Sequence, residues 1–284
     1  MGTWNDWLGR EQVARDTLDS ALAARWAATL DRDVPDSGRM PQGIHLCLCT
    51  PEAPTAALGE DGHPLRDDNP DGFLPPVPLP RRMWASSNMR FHQPLAIGDA
   101  IERTSRIAAI EEKSGRSGTL VFVEIEHETR ANGALAVNER QTLVYREAAT
   151  ADAPLQPPPP GEGRFDSSGW DAHREITPDP RLLFRYSALT FNTHRIHYDA
   201  PYAQEVERYR GLVVHGPLMA SLLLQLAAAE FGENRLAGFG FRAMSPAIAD
   251  EPLHLVMRQE SAGIEMAAIA SDGRECLKAR ASLA

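Results

Sequence analysis

An internal duplication constrains the fold of this 284-residue chain more than any other feature of its sequence. One set of residues recurs at a constant separation of 160 residues. The matching positions are Thr17, Asp19, Leu22, Arg25, Trp26 and Ala28 in the first copy, and Thr177, Asp179, Leu182, Arg185, Tyr186 and Ala188 in the second. Because similar sequences fold into similar units, we expect two structurally related halves.

A proline-rich segment separates the two copies. Residues 151–163 contain four consecutive prolines at positions 157–160, which lack the backbone donors that a helix or a sheet interior needs. This composition predicts a semi-rigid linker. The expected organisation is therefore a first unit over residues 1–150, a linker over 151–163 and a second unit over 164–284.

Each copy shows the pattern of a strand, a helix and then several strands. Asp19 and Asp179 suit helix N-caps, and Pro180 suits the first helical position. Further along, alternation of apolar and charged residues over 119–127 predicts a half-buried antiparallel strand. Similar strands are predicted over residues 141–146, 253–259, 263–270 and 276–283.

One predicted helix is apolar on nearly every side. It begins at Pro217, and residues 218–229 are almost all apolar, so the helix must be buried on most of its surface. A long antiparallel sheet curled around such a helix is the simplest architecture that covers it, and this is the α+β hot-dog fold. Two copies predict a double hot-dog.

Composition argues against several classes of protein. The net charge of −10 opposes binding to nucleic acid or to anionic membranes. The apolar run 218–229 is shorter than the roughly 20 residues that span a bilayer. Three cysteines give no disulfide framework, and the amino terminus resembles no secretion signal, so we expect a cytoplasmic protein. Whether the protein forms a homo-oligomer stays open.

The densest group of reactive side chains lies in residues 186–199 and includes His194 and His197. Here the sequence resembles the MaoC-like hydratases, and more closely their 3-hydroxyacyl-thioester dehydratase and mesaconyl-CoA hydratase branch. The resemblance covers nearly the whole chain and is most specific at Ile196-His197-Tyr198-Asp199. It implies that His197 is the catalytic histidine. The family's catalytic aspartate falls on Asn192, where this chain departs from the general pattern.

The implied chemistry assigns roles to these residues. Adding water to an enoyl thioester requires a base for the water, a donor for the α-carbon and hydrogen bonds to the thioester oxygen. His197 suits the base and, once protonated, the acid. The amide of Asn192 can hold the water by donating and accepting hydrogen bonds.

The start of the apolar helix suits the third requirement. Free N–H groups at a helix start stabilise developing negative charge, and the resemblance also covers the adjacent residues His215 and Gly216. Because Pro217 has no N–H, Gly216 or Leu218 is the expected donor.

The remaining candidates concern substrate binding. We expect Arg195 to bind a substrate carboxylate through two parallel hydrogen bonds. His194 is a second catalytic group or an orienting one, and His215 and Tyr198 are candidate substrate contacts. Arg185 is a further candidate, although Arg25 at its repeat position favours a structural ion pair.

The first copy lacks the equivalent catalytic residues. The positions matching His197 and Asn192 are Ser37 and Arg32, so the first half is expected to be catalytically silent. Its expected contribution is to complete the sheet and the pocket. Arg81, Arg82 and Trp84 are candidate pocket walls.

Two spacings could suit a metal, namely His194-x-x-His197-x-Asp199 and His45-x-Cys47-x-Cys49. We expect neither to hold one, and we expect no cofactor besides the CoA that forms part of the substrate. The function predicted is a hydro-lyase acting on a short branched dicarboxylic enoyl-CoA such as mesaconyl-CoA or itaconyl-CoA. The alternatives are a 3-hydroxyacyl-carrier-protein dehydratase and a non-catalytic acyl-CoA binding subunit. A thioesterase is disfavoured because no carboxylate is evidently placed to activate water.

Overall fold

The computed structural model describes residues 4–65, 72–115 and 118–284. Within these residues, ten antiparallel strands form one sheet. The strands of the first half are β1 (Glu11–Thr17), β2 (Arg81–Phe91), β3 (Ala100–Gly115), β4 (Gly118–Ala131) and β5 (Ala134–Arg146). Those of the second half are β6 (Ala172–Ile176), β7 (Leu236–Ala243), β8 (Leu253–Glu260), β9 (Gly263–Ala270) and β10 (Glu275–Leu283).

The order of strands is the same in both halves, run in opposite directions across the sheet. The sheet order is β1-β3-β4-β5-β2-β7-β10-β9-β8-β6. The halves meet at its centre, where Ser86 to Arg90 of β2 pair with Arg242 to Gly238 of β7. The sheet is therefore continuous from one half to the other.

The helices of the described residues are α1 (Ser20–Thr29), α2 (Pro180–Leu189), α3 (Ala200–Glu205) and α4 (Gly216–Phe231), with short 3-10 helices at Asn5–Trp7, Ile44–Cys47, Thr55–Ala57 and Arg195–His197. The predicted N-caps are confirmed, since the Asp19 carboxylate accepts a hydrogen bond from Leu22 N and that of Asp179 accepts one from Leu182 N. Each half thus begins with a strand and a capped helix.

The apolar helix α4 is the centre of the molecule. Leu218 and Leu223 are fully buried, and the helix packs against β6, β8, β9 and β10. Trp26 of α1 and Ile44 from the first half belong to the same core cluster. The two halves therefore share one main hydrophobic core.

The first half differs from a simple copy of the second. Within the described residues, no long helix corresponds to α4, and two short 3-10 helices lie between α1 and β2 instead. Prolines recur throughout residues 35–80, and each removes a backbone donor and blocks the preceding helical turn. The long helix α4 thus occurs in the second half alone among the described elements.

The linker residues are fastened to the second half. Gln156 N donates to Arg208 O at 2.7 Å, and Arg210 N donates to Gln156 O at 2.8 Å. Gly161 N donates to the carboxylate of Asp272. The division at residues 151–163 stays a prediction.

No helix among the described residues is both long enough and apolar enough to cross a membrane. The cytoplasmic location stays a prediction from the sequence.

Candidate active site

A short irregular segment between α2 and α3 carries the two histidines predicted to be functional. We call residues 190–199 the histidine loop. Phe191 has a φ of 48°, which turns the chain sharply after α2. Asn192 Oδ1 then accepts a hydrogen bond from His194 N at 3.0 Å, and Val213 N donates to Ile196 O at 2.9 Å. These bonds hold the loop against the strand-like segment that precedes α4.

His197 is buried and its ring is fixed by one hydrogen bond. Nδ1 lies 2.7 Å from the carbonyl oxygen of Val213. Because a carbonyl can only accept, Nδ1 carries the proton and Nε2 of the neutral ring keeps its lone pair. Burial lowers the pKa of His197 to about 4, although the bond to Val213 acts in the opposite direction. The ring is therefore neutral at physiological pH and able to accept a proton through Nε2.

His197 is one of four imidazole rings that lie next to one another in a row, and we call them the histidine cluster. The ring centroids of His197 and His215 are stacked 3.6 Å apart, and those of His194 and His197 are 5.5 Å apart in an edge-to-face contact. His63 lies 4.2 Å from His194. Burial lowers the pKa of His194 and of His215 well below the ordinary value for histidine, so these rings are also neutral. Strongly shifted pKa values cluster at functional sites, so these rings mark a candidate active site.

His63 belongs to the first half, and sequence reasoning missed it. Its Nδ1 lies 2.9 Å from Asp61 Oδ2, and its backbone N donates to Asp61 Oδ1 at 3.0 Å. Burial raises the pKa of Asp61, but the hydrogen bonds from His63 outweigh it and leave that pKa below its usual value. No repeat or spacing signal pointed to this pair, because the matching segment of the second half is built differently.

The segment that carries His63 is attached directly to the histidine loop. We call residues 60–63 the clasp. Arg195 N donates to Asp61 O at 2.9 Å, and Thr193 Oγ1 donates to Gly62 O. Gly62 has a φ of +87°, and a Cβ on it would stand 1.8 Å from the carbonyl oxygen of Thr193. The first half therefore helps to position the loop.

The positions in the first half that match the catalytic pair lie elsewhere. Arg32 forms an ion pair with Glu233, and Ser37 Oγ accepts a hydrogen bond from Arg39 N. Neither has a ring contact, hydrogen bond or ion pair to the four histidines among the described residues. That the first half is silent in catalysis stays a prediction, although the half contributes Asp61 and His63 to the site.

The beginning of α4 faces the same cluster. His215 is the N-cap residue, and its Nε2 is hydrogen-bonded to Ser187 Oγ at 2.9 Å. The first backbone bond of the helix is Met219 N to His215 O. Within the described residues, the N–H groups of Gly216 and Leu218 have no acceptor. Apart from the chain neighbours of Gly216 and the backbone of α4, no atom of the described residues lies within 4 Å of the position that a Cβ of Gly216 would take. Two donors and an open space thus coincide, as an oxyanion site requires.

Arg195 is engaged with protein groups. Its Nε and one terminal nitrogen donate to the same Asp199 oxygen at 3.0 and 2.8 Å, and its guanidinium stacks 4.1 Å from the ring centre of Tyr202. The other terminal nitrogen donates to Glu60 O. Its predicted contact with a substrate carboxylate stays a prediction, and the observed bonds support the loop.

Two other candidates also bond to the protein. The hydroxyl of Tyr198 donates to Thr193 O at 3.0 Å and closes the loop. Arg185 is exposed and donates to Ala28 O, so it links α2 to α1 by a hydrogen bond and not by the ion pair that the repeat suggested. Their contacts with substrate stay predictions.

One group of side chains has the composition of a metal site. Asp61, His63 and His194 each offer one ligand atom, and these atoms lie within 4.8 Å of one another. The two spacings considered from the sequence, which include Asp199 and Cys47, are less suitable for a metal. Asp199 is bonded to Arg195 and Tyr202 N, and burial raises the pKa of Cys47 to about 12, which disfavours the thiolate that a metal binds. That catalysis needs no metal stays a prediction.

Solved structures define the class of fold. HtdX of Mycobacterium tuberculosis superposes with a TM-score of 0.68 at 17% identity, covering 97% of this chain and 100% of that one. A MaoC-like dehydratase from Phytophthora capsici gives 0.69 at 14% identity, covering 97% and 96%. A third structure, of another protein from Mycobacterium tuberculosis that is described as having a double hot-dog fold, gives a TM-score of 0.55 at 15% identity, covering 97% of this chain and 96% of that one. The predicted double hot-dog fold is confirmed.

Sequence comparison defines the family within that class. The model of the hydroxyacyl-thioester dehydratase type 2 family matches residues 43–249, so the chain belongs to this family. The mesaconyl-C(4)-CoA hydratase of Chloroflexus aurantiacus is 42% identical over 289 aligned residues, covering 99% of this chain and 98% of the relative. A mitochondrial hydroxyacyl-thioester dehydratase type 2 of Schizosaccharomyces pombe is 26% identical, covering 87% and 90%. The chain is thus an enzyme that adds or removes water on acyl thioesters.

Proposed function

We propose that this enzyme hydrates a short branched dicarboxylic enoyl-CoA, with His197 as the general base and mesaconyl-CoA as the first candidate substrate. The observation that carries the catalytic role is the bond from His197 Nδ1 to Val213 O. It leaves Nε2 as an acceptor in a buried site next to the open start of α4. The candidate substrate is supported by the 42% identity to a mesaconyl-C(4)-CoA hydratase, and itaconyl-CoA is the second candidate.

The proposed hydration uses the His197 side chain and two backbone N–H groups in a fixed order. Nε2 of His197 takes a proton from water while the water oxygen bonds to the β-carbon of the double bond. The electron pair of that double bond moves toward the thioester, whose oxygen gains negative charge. The N–H groups of Gly216 and Leu218 donate to this oxygen. The His197 imidazolium then returns the proton to the α-carbon, so one water is added and no other group is consumed.

The low pKa of His197 has a consequence for each half of this cycle. A neutral imidazole is present at any pH above about 4, so the base is always available. The same burial makes it a weaker base, but it also makes the transient imidazolium a strong acid. Return of the proton to carbon, which is ordinarily slow, is thereby favoured.

Asn192 is the proposed holder of the attacking water. Its side-chain oxygen accepts one bond from His194 N, which leaves the second lone pair of that oxygen and the amide N–H₂ group for a ligand. The sequence suggested that this amide both donates and accepts. Both kinds of hydrogen bond stay open to the amide, because its oxygen keeps one lone pair.

The same chemistry run toward elimination on a carrier-protein substrate is the alternative. The family name and the name of the relative from Schizosaccharomyces pombe favour the direction of elimination, and neither names a carrier protein. The net charge of −10 argues against docking of an acidic carrier, which would need a basic rim.

The test is incubation of purified protein with mesaconyl-, itaconyl- and crotonyl-CoA, followed by mass spectrometry. The expected product is mesaconyl-CoA that has gained one water. Release of free CoA without a hydrated thioester would overturn the proposal. A chelator in a parallel reaction is expected to leave the rate unchanged, whereas a loss restored by one metal would make Asp61, His63 and His194 the first candidate ligands for it.

A further inference from the structure

A dicarboxylic substrate requires a cation inside the site. In a mesaconyl group attached through its C4 thioester, the free carboxylate is bonded to the same carbon that receives the hydroxyl. The cation must therefore lie in the same pocket as His197, not at a distant entrance. Arginine suits this role because its planar guanidinium binds a carboxylate through two parallel hydrogen bonds.

Most arginines near the histidine loop already have partners. Arg195 is bonded to Asp199, and Arg81 forms an ion pair with Glu207. Arg146 donates to the hydroxyl of Tyr209, and Arg210 is paired with Glu251. Three of these guanidiniums are already paired with a protein carboxylate, which weakens their attraction for a second one.

Arg82 differs from these four. Among the residues that the structure describes, its side chain makes no ion pair or hydrogen bond, although it is half-buried. It lies at the start of β2, opposite Tyr145 of β5. Residues two apart in a strand share one face, so Arg82 shares its face with Trp84, which packs against Phe241 and the main core. This face meets the main core at Trp84, and at Tyr145 it meets a smaller buried cluster that includes Val121.

The charge of Arg82 also reaches the histidine cluster. Burial and the neighbouring imidazoles are the main causes of the lowered pKa of His194, and the Arg82 guanidinium is a further cause. It also contributes, after the bonds from His63, to the lowered pKa of Asp61. Among the described residues, the hydrogen bonds of the Asp61 carboxylate go to His63 and none goes to Arg82, so the Arg82 guanidinium keeps its own N–H donors for a ligand.

We propose that Arg82 binds the free carboxylate of the substrate and so makes the site prefer dicarboxylic acyl groups to uncharged ones. This role rests on the proposed function, since it assigns the cation for that substrate. It moves the recognition of the carboxylate from Arg195, on the histidine loop, to the first half of the chain. The first half then supplies substrate specificity while the second half supplies the base.

The experiment compares charged and uncharged acyl groups of the same length. We would measure kcat/KM for mesaconyl-CoA and crotonyl-CoA on wild type, Arg82→Gln and Arg82→Lys. Arg82→Gln is expected to lower the mesaconyl value roughly 100-fold and the crotonyl value less than about threefold, in keeping with loss of a charge-assisted hydrogen-bonded pair. The kcat/KM of Arg82→Lys for mesaconyl-CoA is expected to lie between those of wild type and Arg82→Gln, because lysine keeps the charge but cannot donate two parallel hydrogen bonds. Arg90→Gln, an exposed arginine on the same strand, is the matched control and is expected to match wild type.

Saturated thioesters give a binding readout that needs no chemistry. Succinyl-CoA carries the carboxylate, and butyryl-CoA has a methyl group in its place, so both act as competitive inhibitors only. Wild type is expected to bind succinyl-CoA more tightly, and Arg82→Gln is expected to abolish that preference. If Arg82→Gln does not fold, the same comparison on Arg82→Lys is expected to show about a tenfold smaller preference.

The outcomes separate this inference from the proposed function. Equal losses on both substrates, or an unchanged preference for succinyl-CoA, would overturn the role of Arg82 while the hydratase assignment stands. A wild-type enzyme that hydrates crotonyl-CoA but not mesaconyl-CoA would overturn the proposed substrate. A wild type that binds butyryl-CoA as tightly as succinyl-CoA would overturn both.

Discussion

At the scale of single residues, one hydrogen bond decides which nitrogen of His197 can react. The acceptor is the carbonyl of Val213, sixteen residues along the chain. A motif identifies the histidine, but the ring orientation depends on this contact. The same holds for Gly216, whose value to the site is the open space beside its backbone.

Replacing His197 by alanine tests its role as base. We expect His197→Ala to lower kcat by roughly 100- to 10,000-fold, the usual contribution of a general base. Because the Val213 carbonyl then loses its partner, the free energy of unfolding is expected to fall by about 1–3 kcal/mol. The measurements are steady-state kinetics and urea denaturation.

A histidine outside the site provides the control. His254 on β8 is buried, stacked on Phe165 and bonded to His173. His254→Ala is expected to lose stability but to keep its turnover. Near wild-type turnover of His197→Ala would remove that residue from the mechanism.

Gly216→Ala separates activity from stability. No protein atom is close enough to clash with the added methyl group, and alanine is favoured over glycine in a helix by roughly 0.5–1 kcal/mol. We therefore expect an unchanged or higher midpoint of thermal unfolding together with at least about a tenfold loss of kcat/KM, because the methyl group takes the place of the thioester. Full activity in this variant would show that the thioester does not approach the start of α4.

At the scale of elements, the clasp and the histidine loop depend on each other. The clasp comes from the first half and the loop from the second. In three of their contacts, a main-chain carbonyl oxygen of the clasp accepts a hydrogen bond from the loop. Backbone contacts of this kind carry no side-chain pattern. They could not be predicted from the sequence, although the helices on either side of the loop could.

Gly62→Ala is expected to pull the clasp away from the loop. The new Cβ would stand 1.8 Å from Thr193 O, and the φ of +87° is unfavourable for alanine. The expected result is a loss of stability of roughly 2 kcal/mol or more and a lower kcat, because His63 and the loop shift. Gly133→Ala is the matched control, since Gly133 has a φ of +83° and nothing within 4 Å. Equal activity losses in both variants would mean that the clasp contact has no part in catalysis.

At the scale of the whole molecule, one core joins the two halves, and several histidines are buried with it. Burial lowers the pKa of His45 to about 3 and those of His127 and His197 to about 4. In the unfolded chain these groups titrate near their ordinary pKa of about 6.5. Between these values the unfolded state binds more protons, so the free energy of unfolding falls as the pH falls.

His45 allows this dependence to be measured at one position. Its Nε2 is buried and, among the described residues, has no hydrogen-bond partner. From pH 7 to pH 5 the contribution of His45 to the free energy of unfolding is expected to fall by about 2 kcal/mol. The free energy of unfolding of His45→Leu is therefore expected to decrease by about 2 kcal/mol less than that of wild type over the same pH range. Urea denaturation at both pH values gives the difference. The exposed His92→Leu variant is the control, and an equal pH dependence in wild type and His45→Leu would refute the argument.

The sequence by itself determined the features that depend on near neighbours along the chain. Helix caps at Asp19 and Asp179, the buried character of α4 and the alternating strands each follow from residues a few positions apart, and all are present in the structure. The repeated elements and the histidine motif led to the double hot-dog fold and to the chemistry of the family. These signals are local, because capping and amphipathic periodicity act within one or two turns or strand pairs.

Only the tertiary structure decided which distant groups meet. It brought Asp61 and His63 to His194 across about 130 residues of chain, bound Arg195 to Asp199, and left Arg82 without an ion pair among the described residues. It also left the first half without a long central helix in its described part, because prolines interrupt the chain there. Such contacts are set by how two halves close around one core, and the energies that select them arise from burial and from hydrogen bonds across the interface between the halves. No pattern within either half encodes that interface, so it could not be predicted from the sequence alone.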